Sequence, residues 1–185
     1  LAPPQASTLI DRRAAVEALK TVVLKKSSLT ATDKQTIRSS LSALVDDGDE
    51  IIRYHAVLGL DPFKKDPAVV TLLQAKLDDA SIYVQRAADR TSIEAGHEQG
   101  IPVLIASLRF PSIDTFEFYD EDLPKDLAFY CGIDFPDDQR YDHRTWQQWW
   151  QKHQKEVNLS HNLAIKREIE AAFATYPEQS GLATF

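Results

Sequence analysis

The sequence is poor in several features that define whole classes of protein. Its 185 residues contain a single cysteine, Cys131, so an intrachain disulfide framework is excluded. No apolar run reaches the ~18 residues that a membrane-spanning helix needs. The chain also lacks a glycine-rich phosphate loop, a His-Glu-x-x-His zinc motif and a Cys/His dyad. We therefore predict no catalytic residue, no metal site and no cofactor.

Methionine is absent as well, and the chain begins with the residues LAPP. We therefore interpret it as a processed or trimmed product. Removal of a signal peptide would leave such a start, and so would a chosen chain boundary. The first alternative favours an extracytoplasmic location, either periplasmic or secreted.

Acidic residues outnumber basic ones by 28 to 21, which gives a formal net charge of -7. This charge disfavours nonspecific binding to nucleic acid or anionic lipid. The hydrophobic content of 43% and the charged content of 26% are typical of a soluble globular protein. We expect another protein as the partner, without nucleic acid and without membrane insertion.

What the chain does contain is internal repetition. Residues 12–19 recur at 53–60 as Arg-x-x-Ala-Val-x-x-Leu. The stretch 41–47 (LSALVDD) aligns with 73–79 (LQAKLDD), and 104–108 (LIASL) follows at a similar interval. Self-similarity at a period of roughly 20–50 residues indicates a solenoid, in which stacked repeats bury a shared apolar face.

Apolar spacing and capping signals predict a succession of helices. Thr30 or Thr32 can cap the second, Asp49 the third, and Asp66 followed by Pro67 is a specific start signal for the fourth. Glycines in the Asp-rich turn and after the fifth helix are suited to positive φ. The predicted helices lie at about 8–26, 32–45, 50–60, 67–77, 82–95, 100–108, 143–153 and 162–175.

The segments 69–79, 84–88 and 100–108 resemble HEAT-like repeats of the bacterial phycobilisome-lyase type. In that family an Asp-rich turn joins a short helix pair, and Val-Arg-x-x-Ala opens the second helix. Ile52-Arg53-x-x-Ala56 matches this phrase, whereas Gln85 replaces the arginine at 84–88. The resemblance implies an α-solenoid used for protein contact. It implies no active site, because this fold hosts many functions.

Residues 127–153 resemble a terminal element that often follows such repeats in bacterial proteins. Its Trp-x-x-Trp-Trp-x-x-His helix invites a carbohydrate-platform interpretation. At helical spacing, however, tryptophans more often form core, and a solenoid end needs an apolar plug. We therefore expect the three tryptophans to cap the core (Trp146, Trp149 and Trp150).

The stretch between the repeats and this helix is acidic, aromatic and interrupted by proline. Residues 114–138 hold nine acids and one base, a local charge of -8, and 110–150 hold eleven of the seventeen aromatic residues. Aromatics can anchor a partner while carboxylates select a basic one. The alternative is that the aromatics pack onto the repeats and the acids form a solvated face. The predicted partner-binding residues are Phe116, Phe118, Tyr119, Asp120, Glu121, Asp122, Asp137 and Asp138.

Two smaller features also have alternative interpretations. Arg12 and Arg53 recur at one repeat position and could bind phosphate, or could each bond an Asp-rich turn; their recurrence favours the second role. Cys131 lies between aromatics and a glycine, which is typical of a buried, unreactive thiol.

These observations predict one all-α domain, a right-handed α-solenoid of about three HEAT-like helix pairs. We expect a non-enzymatic protein-binding or scaffold module, alone or as a subunit of a larger assembly, that contacts a basic partner surface. The alternative is an accessory ligand-binding or enzymatic module with a pocket near the 110–141 loop. The predicted segments are a disordered lead (1–7), the repeats (8–110), the irregular acidic-aromatic insertion (111–141), the Trp-bearing terminal helices (142–176) and a tail (177–185).

Overall fold

The computed structural model of the chain describes residues 8–26, 28–109 and 123–175, with side chains up to Phe173. Over these ranges the chain is helical without β-strands, which confirms the predicted all-α class. None of the described helices is long and apolar enough to cross a membrane. The α-helices are α1 (Leu9–Lys25), α2 (Ala31–Leu44), α3 (Glu50–Gly59), α4 (Pro67–Ala75), α5 (Ile82–Glu94), α6 (Gly100–Ser107), α7 (Leu123–Cys131), α8 (His143–His153) and α9 (Leu159–Thr175).

Short polar side chains fix where the repeat helices begin. Thr8 and Thr30 each form a capping box with the aspartate three residues later, at the starts of α1 and α2. Asp49 accepts hydrogen bonds from the first free amides of α3. Asp66 caps α4, whose first residue is Pro67. These caps satisfy amide groups that would otherwise lack partners, so helix boundaries follow directly from local sequence.

The helices pack in an alternating order along the chain. Helix α1 packs on α3 and α3 packs on α5, so these three form a row. Helices α2 and α4 pack against α3 and α5 respectively, and α6 packs on both α5 and α8. The C-terminal helix α9 packs on α7. Helices adjacent in the row are therefore separated by one helix in sequence, as expected when successive helix pairs stack.

The repeated apolar positions form the core. The prediction that Ala56, Leu73, Ala88 and Leu104 are buried is confirmed, with exposures of 0, 1, 0 and 4%. Small residues such as Ala56 and Ala88 allow the helix axes to approach closely, while leucines fill the space between layers.

Two apolar clusters share this interior, and α5 contributes to both. Val84 and Ala88 belong to the cluster formed by α1 to α5. Ile93, near the end of the same helix, belongs to a second cluster with Tyr130 and Trp146 from the C-terminal helices. Helix α5 therefore joins the cluster of the repeats to the cluster that contains the C-terminal helices.

The segment 111–141 was predicted to be an irregular insertion, but part of it is helical. Its second half contains α7, a helix of nine residues in which Leu123, Leu127 and Tyr130 are buried. Leu123 and Leu127 are four residues apart and Tyr130 three further on, which places them on one helix face. The acidic composition of the stretch concealed this apolar spacing.

The recurrent arginines bond the Asp-rich turns. Arg12 pairs with Asp47 in the turn before α3. Arg53 donates from Nη1 to the carbonyl oxygens of Asp47 at 2.9 Å and Gly48 at 3.3 Å. These contacts therefore support a structural role for Arg12 and Arg53 and not phosphate binding.

Of the two glycines expected to take positive φ, only Gly96, which follows α5, does so, with φ of 96°. Gly48 is not among the described positive-φ glycines, which are Gly96 and Gly132. In the turn 46–49, hydrogen bonding by the aspartates sets the backbone conformation: Asp47 accepts from the amide of Asp49 at 2.9 Å.

Candidate functional site

A groove of about 490 Å³ is lined by side chains from α1, α3, α5, α6, α7 and α9 and from the turn after α3. Its volume falls in the range of pockets that bind small molecules or single side chains of a partner. The groove lies along the α1–α3–α5 row and also contacts Leu123, the first residue of α7. We refer to it below as the row groove.

Two tyrosines and two leucines form much of the apolar lining. Tyr54 and Leu58 are four residues apart on α3, so they lie on the same face of that helix. Tyr83 extends this surface from α5, and Leu24 extends it from α1. Leu24 is 48% exposed, so the apolar surface of the row groove reaches solvent at its rim.

The charged lining is balanced between four cations and four carboxylates, which lie on α1, α5 and α9 and, for Asp61, in the turn after α3. The cations are Lys20, Arg86, Arg90 and Lys166, and the carboxylates are Asp61, Asp89, Glu94 and Glu170. The row groove has no net charge to attract a simple anion or cation, and its selectivity must come from the arrangement of these groups.

At one end of the row groove, Glu94 of α5 binds two residues from the C-terminal helices. Its Oε1 accepts a hydrogen bond from the hydroxyl of Tyr130 at 2.9 Å and one from Lys166 Nζ at 2.5 Å. Lys166 also lies 5.0 Å from the centre of the Tyr130 ring, within cation–π range. Asp126 lies 3.7 Å from Lys166 and 3.1 Å from Arg90. These contacts connect α5, α7 and α9.

The protonation states in this network are set by burial and hydrogen bonding. Burial is the largest single influence and acts to raise the pKa of Glu94, but the hydrogen bond and charge of Lys166, together with the hydrogen bond from Tyr130, leave that pKa below its ordinary value. Burial, reinforced by Asp126, raises the pKa of Tyr130 far above its ordinary value. The Tyr130 hydroxyl therefore stays protonated and donates a hydrogen bond to the ionised Glu94 carboxylate. The geometry supports a structural ion pair between Glu94 and Lys166 better than a proton-transfer site.

Six of the eight predicted partner-binding residues lie outside the described residues (Phe116, Phe118, Tyr119, Asp120, Glu121 and Asp122). Asp137 and Asp138 are described, and both are exposed in the loop between α7 and α8. The side chain of Asp137 is 91% exposed and pairs with Arg140 at 3.1 Å. Asp134, also exposed, lies 3.4 Å from the same guanidinium. The loop therefore presents carboxylates to solvent around one arginine.

The tryptophans of α8 divide into one buried and two half-buried residues. Trp146 is 0% exposed and donates from Nε1 to the carbonyl of Arg140 at 2.8 Å. The ring of Phe135 meets it edge-on, with centroids 4.7 Å apart. Trp149 and Trp150 pack against the same cluster and remain partly exposed. The arrangement agrees with a core cap and not with three exposed indoles around a ligand.

The only cysteine, Cys131, is buried at the end of α7, and burial raises the pKa of its thiol to about 12. The thiolate needed for nucleophilic attack is therefore scarce at neutral pH. Among the described residues, no group of three or more His, Cys, Asp and Glu side chains could hold a metal ion.

The row groove was not predicted from the sequence. Glu94 and Lys166 are separated by 72 residues, and neither belongs to a recognisable motif. The only signal was a general one: stacked repeat helices leave one side of each second helix uncovered, and the partly exposed Leu58 and Tyr83 lie on that side.

The sequence and the structure were compared with known proteins. No family model matches the sequence, and neither a curated protein nor a solved structure matches it at a significant level. The functional conclusions below therefore rest on the chain's own residues.

Proposed function

We propose that this chain is a non-enzymatic protein-binding module of the HEAT-like repeat type, and that its partner presents a basic, partly apolar segment to the row groove. In this proposal the helix pairs form a right-handed α-solenoid of about three repeats. The module acts alone or as a subunit of a larger assembly.

Equivalent contacts at equivalent positions support the repeat assignment. Arg12 of α1 and Arg53 of α3 both reach the Asp-rich turn 46–49, and Arg53 also pairs with Asp79 in the next such turn. The alanines at 56 and 88, related by a 32-residue period, are both fully buried. Such regular spacing is what repeat packing requires.

The observation that carries the binding proposal is the row groove. It combines aromatic surface with fixed charges on rigid helices, and aromatic anchors in a preformed groove contribute most of the energy at many protein interfaces. Tyr83, which is partly exposed, supplies most of this surface, because Tyr54 is only 6% exposed. The ion pair between Glu94 and Lys166 holds α9 against α5, so the groove is already formed before a partner binds.

Charge exposure favours a basic segment. Glu170 and Asp61 are 62% and 39% exposed, whereas Lys166 is 13% exposed and is surrounded by three carboxylates. Arg90 is 49% exposed, and its guanidinium pairs with Asp126. A lysine or arginine of the partner could contact Glu170 and stack on a tyrosine ring.

The carboxylates of the 134–138 loop are a second feature that favours a basic partner. Asp134 and Asp137 are highly exposed and can attract a basic surface before contact. Their attraction is screened over roughly 8 Å at physiological salt, so they act on the association rate.

Selection from a displayed library of random peptides tests the proposal, because it samples basic, acidic and apolar segments alike. We expect enriched peptides that combine basic and apolar residues. Measured by calorimetry with a synthetic copy of an enriched peptide, Glu170→Lys should weaken binding by about tenfold. Glu168→Lys is the matched control, because Glu168 is exposed on α9 but does not line the row groove. No enrichment, enrichment of acidic peptides, or equal loss in both variants would contradict the proposal.

A second candidate function is an accessory ligand-binding or enzymatic module. It is favoured by the network of Glu94, Tyr130 and Lys166 beside α7, which lies within the 110–141 region where a pocket was expected. A thermal-shift screen with free amino acids, nucleotides and sugars tests it, because a ligand that binds only the folded state raises the melting temperature. A shift that Lys166→Met abolishes, with peptide binding retained, would favour this second function.

A further inference from the structure

Lys20 connects the row groove to a histidine on the neighbouring helix. It lies on α1 and lines the groove, and its Nζ is 3.2 Å from Nδ1 of His55 on α3. Both side chains are partly buried, and the His55 ring lies beside that of Tyr54, with centroids 5.1 Å apart. The contact therefore fixes the position of one of the four cations that line the row groove.

The chemistry of the two groups determines where the protons lie in this contact. A lysine ammonium has three donors and no acceptor, so Nδ1 of His55 must be the acceptor. His55 is therefore neutral, with its proton on Nε2. A second proton would have to bind at Nδ1, the atom that faces Lys20, and would replace the hydrogen bond by two cations in contact. Protonation of His55 is thus incompatible with the observed position of Lys20.

The charged groups around His55 come from one helix. Among the described residues, the charged side chains that act on its pKa are Lys20 and Glu17, both on α1. Burial, reinforced by Lys20, lowers the pKa of His55, whereas Glu17 opposes this shift. Helices α2 and α5 and the turn after α3 also contact α3, and no charged group in their described parts acts on this ring. His55 therefore stays neutral near neutral pH and takes up a proton in acidic solution.

We propose that the contact between Lys20 and His55 is a pH-dependent switch of partner binding at the row groove, an inference that rests on the proposed binding of a basic segment there. Near neutral pH, His55 holds the Lys20 ammonium against α3. In acidic solution, the protonated ring repels this ammonium and adds one positive charge beside a lining that is otherwise balanced. Lys20 then competes with the partner's cations for the groove carboxylates, so acidification weakens binding.

Calorimetry at about pH 7.5 and about pH 5 tests the switch. The probe is a peptide enriched from the displayed library, with blocked termini and without histidine, aspartate or glutamate, so that its own charge is constant. Wild type should bind it about three- to fivefold more weakly at the lower pH. His55→Gln should show little change, because its amide oxygen can accept from Lys20 but does not titrate. Lys25→Gln, at an exposed position on α1 outside the groove lining, is the matched control and should keep the wild-type dependence.

Lys20→Gln tests whether Lys20 transmits the effect, and NMR of the histidine rings follows the switch without a peptide. In this variant peptide binding should depend little on pH, and the pKa of His55 should rise because a neighbouring cation is removed. By linkage, the bound peptide should lower the pKa of His55 in wild type. Circular dichroism verifies that each variant is folded at both pH values.

The possible results separate the switch from the binding function itself. Equal wild-type affinity at the two pH values, an equal loss of affinity in His55→Gln, or an unchanged His55 titration in Lys20→Gln would overturn the switch and leave the proposed function in place. Absence of peptide binding at about pH 7.5 would contradict the proposed function and, with it, this inference.

Discussion

Arg53 on α3 and Asp79 in the turn before α5 form a two-pronged ion pair, with Nε to Oδ2 at 3.0 Å and Nη2 to Oδ1 at 2.8 Å. Both side chains are largely buried, with 14% and 6% exposed. Burial is the largest single influence and acts to raise the pKa of Asp79, but the hydrogen bonds from Arg53 and from the amide of Ser81, together with the charges of Arg53 and Lys76, leave that pKa lowered. Because the pair joins consecutive helices of the row, it stabilises one repeat against the next.

Arg53→Gln should therefore destabilise the fold by about 2–4 kcal/mol, because it removes the cation that pairs most closely with the buried Asp79 carboxylate and leaves only Lys76, at 3.7 Å. The free energy of unfolding in urea measures this loss. Arg12→Gln is the control at the equivalent repeat position: Arg12 is 44% exposed, so its loss should cost less than about 1 kcal/mol. Equal costs for the two variants would show that burial of the pair is not what stabilises the stack.

Two glycines should differ in how well they tolerate substitution by alanine. A Cβ at Gly100 would lie 2.6 Å from the carbonyl oxygen of Asp89, a backbone atom that cannot move without displacing α5. Gly100→Ala should cost about 1–3 kcal/mol. Gly48 has no atom within 4 Å of such a Cβ and no positive φ, so Gly48→Ala should change stability by less than about 0.5 kcal/mol. Thermal melts of the two variants, compared with wild type, give the difference directly.

Stability should fall as the pH drops below about 6.5. Burial, assisted by Lys20, lowers the pKa of His55 from its ordinary value of 6.5, while Glu17 opposes the shift. Below that ordinary value the unfolded chain takes up the proton before the folded chain does, so protonation favours unfolding. Urea titrations between pH 5 and 8 measure the effect.

His55→Gln should flatten this pH dependence, while His161→Gln, at an exposed position on α9, should retain it. A His55→Gln protein that loses as much stability as wild type between pH 8 and 5 would rule out His55 as the source.

Trp146 should dominate the native fluorescence at short wavelengths. It is fully buried and its indole N–H is bonded, whereas Trp149 and Trp150 are partly exposed. Trp146→Phe should therefore shift the emission maximum to longer wavelength and cost about 2–3 kcal/mol from the cavity and the lost hydrogen bond. Trp149→Phe should leave a spectrum at shorter wavelength than that of Trp146→Phe. The reverse order of the two spectra would contradict the assignment of Trp146 as the buried cap.

The parts of the fold that follow from neighbouring residues could be predicted. Thr30, Asp49 and the Asp66-Pro67 pair act within one helical turn, so their sequence signature determines their structure. Burial of Ala56 and Ala88 followed from the repeat, because one helical spacing serves every repeat.

The candidate site could not be predicted, because it depends on contacts between distant residues. Glu94 follows no capping or pairing pattern, and its partners Tyr130 and Lys166 come from two other helices. Helix α7 was missed for a different reason. Its apolar residues are interleaved with Lys125 and Asp126, and the surrounding acidic composition obscured the helical period.

The repeat contacts also show where the regular pattern stops. Gln85 stands where Arg53 stands one repeat earlier, and its side chain donates only to the carbonyl of Asp79, at 2.5 Å. One period beyond Asp78 the sequence has Arg109, so the acidic turn is also replaced. The arginine and the acidic turn are absent from the same repeat, as expected if their main role is to bind each other.

Helix α5 supplies side chains to both apolar clusters without an interruption between Val84 and Ile93. Unfolding of this helix therefore removes side chains from both clusters at once. The two halves of the chain should consequently unfold in one cooperative transition, and amides in the middle of α5 should exchange with solvent only through global unfolding. Amides of α1, which has a single fully buried residue, should exchange earlier through local opening.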